Sequence, residues 1–237
     1  MLKKASGVLA MVIAMSASGF AAAADKVTYQ LDWLPGGDKA PVYAGIQQGF
    51  FADEGLEVTV ASGRGSTDAI TKIATGQADI GSADIGALMA ARAQDTVPVS
   101  AVYMIFNQGP HAFFALSDSG INSFADIAGK KVATSPFTSS NAFLPLVLEA
   151  NDMPGDAVSL TKSDPGALGP MLVTGNTDAI IAWVTNIALF KQQAAAAGKD
   201  INVIRWSDAG LSLYSSAVVA ADKFLTERPD VAKRFMR

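Results

Sequence analysis

The chain has 237 residues, half of them hydrophobic and 17% charged, with 18 basic against 22 acidic side chains for a formal net charge of −4. That balance supports a sizeable buried core, and it excludes a disordered chain and a basic nucleic-acid-binding surface. With no cysteine, disulfides, thiolate metal sites and a lipid-modified N-terminal cysteine are excluded as well.

The first 24 residues read as a cleaved signal peptide. Lys3 and Lys4 form a positive start, Val8 to Met15 is apolar, and Ala21 to Ala24 supply the small residues a signal peptidase needs. The apolar stretch is too short to span a bilayer. Cleavage near Ala24 removes two lysines and no acids, taking the net charge from −4 to −6. An exported protein without a lipid anchor is expected in a periplasm.

From there, short β-branched runs alternate with helical segments, the pattern of an α/β fold with mainly parallel strands. Residues 27–31 predict a strand, 39–51 a helix with Pro41 in its first turn, and 56–61 a strand. A glycine-rich loop at 63–66 leads into a helix over 67–75. A short strand at 79–81 is followed by a helix over 84–93, with Asp84 as its N-cap. Strands are expected at 97–106 and 112–116. The Ser117-Asp118-Ser119-Gly120 stretch then breaks the pattern. A second unit follows: a helical turn at 123–127, strands at 131–134, 159–162, 179–183 and 201–206, and helices at 139–150, 166–174 and 186–197. A strand at 215–221 and helical sequence from Asp222 complete the chain. The last amphipathic stretch, Pro229 to Arg237, has no capping glycine, so a chain truncated at its C-terminus is expected.

Three stretches carry a resemblance: LDWLPGGDKAPVYAGIQQGFFADEGLEV (31–58), AITKIATGQADIG (69–81) and GINSFADIAGKKVAT (120–134). Together they resemble the type II periplasmic binding proteins of the NMT1/THI5-like family, which includes receptors for pyrimidine thiamine precursors, alkanesulfonates, taurine, nitrate-like anions and riboflavin. Asp32-Trp33-Leu34-Pro35 looks most like the pyrimidine-precursor branch. That branch usually has Asn and His where this chain has Gly36-Gly37 and Lys39. The resemblance implies a two-lobed α/β fold with a hinge and an interlobe cleft, with residues 25–116 plus 214–237 as lobe one and 117–213 as lobe two. It implies a monomeric receptor, without cofactor, that hands a small ligand to an ABC permease. An anion receptor of the alkanesulfonate, taurine or nitrate type is the alternative. Pyrimidine synthases resemble the same motifs, but they are intracellular and carry a cysteine-rich stretch.

Ligands of open α/β sheets sit at strand C-termini and helix N-termini, which selects the candidate binding residues. Trp33 offers a face for stacking a ring and Asp32 an acceptor for N–H donors. Arg64 and Ser66, in a loop preceding a helix, suit an anion or carbonyl, or serve only as a cap beside a solvated arginine. Ser82 and Asp84 follow a strand; Asp84 binds an amine or ring N–H, caps its helix, or does both. Asn107 lies between two strands. Ser135, Thr138 and Ser139 form the matching loop of lobe two, where one hydroxyl must cap the helix. Trp183 either completes a two-tryptophan sandwich with Trp33 or fills the core. His111, the only histidine, reads as an ordinary polar contact. No triad, metal cluster or Gly-x-Ser-x-Gly elbow is present, so binding rather than catalysis is expected.

Overall fold

The computed structural model describes residues 23–237; of the expected signal peptide, residues 1–22 lie outside the described residues. In chain order the elements are β1 (Asp25–Gln30), α1 (Ala40–Gln47), α2 (Phe50–Asp53), β2 (Leu56–Ala61), α3 (Ser66–Ala74), β3 (Ile80–Asp84), α4 (Ile85–Gln94), β4 (Val99–Met104) and β5 (His111–Leu116). They continue with β6 (Lys131–Thr134), α5 (Ser140–Glu149), β7 (Ser159–Lys162), α6 (Pro165–Val173), β8 (Ala179–Trp183), α7 (Ile187–Ala196) and β9 (Ile201–Arg205). The last are β10 (Ser216–Ala221), α8 (Asp222–Glu227) and α9 (Pro229–Phe235).

The strands form two five-stranded sheets, ordered β2-β1-β3-β10-β4 and β7-β6-β8-β5-β9. In each, four strands run in one direction, and the strand in fourth place, which has just arrived from the other sheet, runs against them. Eight of the ten strands thus run parallel within their sheets, as the alternating pattern suggests, although the two reversed strands lie inside and make half of the neighbouring pairs antiparallel among the described residues. Alternation of strand and helix predicts parallel crossovers inside a lobe. It is blind to a strand entering a sheet from the opposite end.

The same topology moves the first lobe boundary. The expected boundary at 116/117 would leave β5 in lobe one, but β5 pairs with β8 and β9 of the second sheet. The crossover is residues 105–110. Ser117 to Gly120 is a turn inside lobe two, closed by Ser119 Oγ donating to the Leu116 carbonyl. The two crossovers lie side by side: Ile105 and Phe106 N–H both donate to Ser216 O, and Ser215 N–H donates to Phe106 O. This short ribbon is the hinge.

Burial explains the strand order. The inner strands β3, β8 and β10 are buried along their whole length, whereas the edge strand β7 is exposed throughout, as expected for sheets covered on both faces. In lobe two, β5 divides its side chains by period two. Phe113 and Ala115 join one apolar cluster with Trp206, and Ala112 and Phe114 join the other with Phe190. The expected helix over 39–51 is broken at Gly49, which takes φ +81° and starts a separate turn.

Candidate functional site

The lobes meet at the C-terminal ends of their parallel strands, where the residues after β1, at the start of α3, before α5 and at the end of β8 converge. Asp32, Trp33, Gly65 and Ser66 of lobe one and Thr138, Ala182 and Trp183 of lobe two line one interlobe cavity. Its free space is only about 10 Å³, room for about one water. A benzene-sized ring takes a cavity on the order of 150 Å³, so such a ligand enters only when the lobes part.

Asp32 is 2% exposed and heads a buried polar cluster. Ser82 donates to its Oδ1 at 3.0 Å, and the Asp32 N–H donates to Ser82 Oγ. Lys39 forms an ion pair with the same Oδ1 and a second with Asp38 at 2.8 Å. Burial works against charge on Lys39, but Asp32 and Asp38 outweigh it and hold the ammonium above its ordinary value. Burial, reinforced by the nearby Asp32 charge, pushes the Tyr29 hydroxyl up to about 12. Two carboxylates thus share one ammonium, and Asp32 Oδ2 is left buried without a partner. An unpaired carboxylate oxygen costs free energy until a donor reaches it.

The lobes touch around the cavity through several contacts. Thr67 donates to Phe137 O from its N–H at 3.1 Å and from its hydroxyl at 2.9 Å, and Ser135 Oγ donates to Arg64 O at 2.7 Å. Lys39 Nζ lies 5.6 Å above the Trp183 ring. Trp33 packs against the apolar cluster of lobe two. Gly65, at φ +151°, passes so close to lobe two that a Cβ would lie 2.0 Å from Phe137 O.

Five of the eleven expected residues therefore line the cavity: Asp32, Trp33, Ser66, Thr138 and Trp183. Ser82 stands behind Asp32 and holds it. Asp84, fully buried, caps α4 by accepting from Gly86 and Ala87 N–H, and its N–H donates to Ser66 Oγ. Ser135 ties the lobes together through Arg64 O. Ser139 is buried with an unpartnered hydroxyl. Arg64 points away from the cavity: its side chain is half-exposed, lies over the Phe137 ring and pairs with Asp164 at 3.5 Å. Asn107 is exposed on the hinge and lines a separate surface hollow with Gln108 and Arg205. Loop position singles out both in the sequence, but it does not report side-chain direction. Lys39 in the sequence only starts a helix and departs from a motif; its one signal is a lysine seven residues beyond Asp32 at the head of an apolar helix. Among the described residues, no group of three acidic or histidine side chains could hold a metal ion.

A family model described as NMT1/THI5 like matches residues 37–237. The chain belongs to the NMT1/THI5-like family. A formylaminopyrimidine-binding protein of Halalkalibacterium halodurans is 27% identical over 219 residues, covering 91% of this chain and 64% of that protein. A 4-amino-5-hydroxymethyl-2-methylpyrimidine phosphate synthase of Legionella pneumophila is 30% identical over 107 residues, 45% of this chain and 34% of the synthase. Among solved structures, the alkanesulfonate-binding protein SsuA of Xanthomonas axonopodis pv. citri bound to MOPS superposes with a TM-score of 0.70 at 15% identity, covering 90% of this chain and 72% of that one. This NMT1/THI5-like chain thus has the two-lobed fold of type II periplasmic binding proteins. It spans less than two thirds of the length of these two curated relatives.

Proposed function

We propose that the protein is the periplasmic ligand receptor of an ABC importer and not an enzyme. Its ligand is a small planar heteroaromatic nutrient rich in N–H donors, in the first place a pyrimidine thiamine precursor. One observation carries the reading: Asp32, whose Oδ2 is buried without a partner, lines an interlobe cavity walled by Trp33 and Trp183. That arrangement suits a flat ring presenting N–H groups. The Asp32, Asp38 and Lys39 cluster carries net negative charge, which opposes a sulfonate or carboxylate ligand, and Arg64 is turned away. A synthase and a binding protein are both relatives.

The test is calorimetric titration with a formylaminopyrimidine and with an alkanesulfonate. Asp32→Asn should weaken pyrimidine binding roughly 10- to 150-fold, the range for a lost hydrogen bond to a charged group, while Arg64→Ala leaves it within about threefold. Sulfonate binding abolished by Arg64→Ala would transfer the protein to the anion receptors. A chemically altered pyrimidine recovered after incubation would overturn the non-enzymatic reading.

A further inference from the structure

His111 opens β5 directly after the first crossover and is wholly buried. Its ring is boxed by Phe143 at 5.0 Å, Trp183 at 5.9 Å and Trp206 at 5.6 Å between centroids. Packing alone would explain an aromatic residue here, but both ring nitrogens also face polar groups. Nδ1 lies 2.9 Å from Ser140 Oγ, and Thr138 Oγ1 donates to that same oxygen at 3.3 Å. With the Ser140 hydroxyl donating to Nδ1, the ring hydrogen is assigned to Nε2. Nε2 has no hydrogen-bond partner and faces Asp84 Oδ2 of lobe one at 3.6 Å. Asp84 in turn accepts from Ser215 beside the second crossover and gives its N–H to Ser66.

These groups form one chain: Thr138, Ser140, His111, Asp84, Ser66. It begins and ends at the ligand cavity, once in each lobe. It crosses between the lobes at one point, the 3.6 Å gap between His111 and Asp84. Less than 1 Å of further approach would turn that gap into a charge-assisted hydrogen bond.

We propose that His111 is a positioning residue that couples the ligand cavity to the hinge. The lobe movement that makes room for a ligand also swings His111 against Asp84 beside the crossovers, and an Nε2–H bond to Asp84 formed there holds Thr138 and Ser66 against the ligand from opposite sides. The proposal rests on the reading of the cavity as a ligand site. It makes the lone histidine, and not only the cleft side chains, a determinant of affinity.

The experiment compares His111→Phe, which keeps the aromatic packing, with His111→Gln, which keeps an N–H donor, and combines His111→Phe with Asp84→Asn, which can still cap α4. His111→Phe should weaken formylaminopyrimidine binding roughly 10- to 100-fold, and His111→Gln should recover part of the loss. Both should leave the unliganded unfolding midpoint nearly unchanged. The double substitution should be non-additive in binding and additive in unliganded stability. Because the chain has no cysteine, labels on Glu57→Cys and Lys162→Cys report the lobe separation directly. His111→Phe should shift that distribution toward wider separations. Wild-type affinity in His111→Phe, additive binding energies or an unchanged distance distribution would each overturn the proposal. A wild type that populates the narrow separation yet ignores every pyrimidine defeats the ligand assignment, and the label distances still decide the role of His111.

Discussion

Gly65→Ala should block closure while leaving each lobe folded. The added Cβ would lie 2.0 Å from Phe137 O, 2.1 Å from Phe137 C and 2.6 Å from Thr138 N, all of them backbone atoms of the opposite lobe. No rotamer change relieves contacts with backbone, so the lobes must separate by about 1.4 Å to reach the 3.4 Å of an ordinary contact. That separation breaks the three flanking interlobe hydrogen bonds, from Thr67 N–H, Thr67 Oγ1 and Ser135 Oγ. At about 1 kcal/mol each, their loss raises the closed state by about 3 kcal/mol. Ligand affinity should then fall roughly 150-fold, since binding selects the closed state. The φ of +151° adds strain of about 1–3 kcal/mol for any side chain, and this is felt open or closed, so it appears in the unliganded unfolding midpoint instead. Calorimetry and small-angle scattering with and without a formylaminopyrimidine separate the two effects. A variant that binds within about threefold of wild type and compacts equally on binding would refute the claim that this glycine is the closing surface.

Lys39→Met leaves two buried carboxylates without their shared cation and should cost about 3–5 kcal/mol in urea unfolding; adding Asp32→Asn should restore part of it. Folded Lys39 holds its proton more tightly than the unfolded chain does. Its contribution is therefore complete below the ordinary lysine value of 10.5 and is lost as pH rises through the higher folded value. The gap in unfolding midpoint between wild type and Lys39→Met should accordingly narrow only in strong alkali. Phe113→Ala, at a fully buried position in the second sheet, should cost about 3–5 kcal/mol by the same measurement without changing the ligand preference.

Local pattern made much of the fold legible. The strands at Leu56–Ala61, Lys131–Thr134, Ser159–Lys162 and Ala179–Trp183 coincide with their β-branched runs, and Asp84 caps α4 as its position before an apolar helix implies. Where the reading departed, the missing information was long-range. Ser117 to Gly120 has the composition of a linker, but a turn and a crossover use the same residues. Only pairing with β8 shows that β5 had already changed sheet. The candidate site divides in the same way. Asp32 and Trp183 follow strands directly, so the rule of strand C-termini finds them. Lys39 matters because its flexible stem brings the ammonium back to Asp32 and over a tryptophan of the other lobe. Gly65 matters because residues 64–67 meet 135–138 across the cleft. Neither relation leaves a periodicity in the sequence.

The exchange of strands between the two sheets bears on how this chain must be made. β3 keeps an unpaired edge until β10 arrives, and the Ser215–Asp84 contact that accompanies this pairing joins residues 131 positions apart. Lobe one therefore cannot finish folding until nearly all of lobe two has been synthesised, and such non-local pairing slows folding. The late strand thus ties the completion of lobe one to a chain that has already traced lobe two.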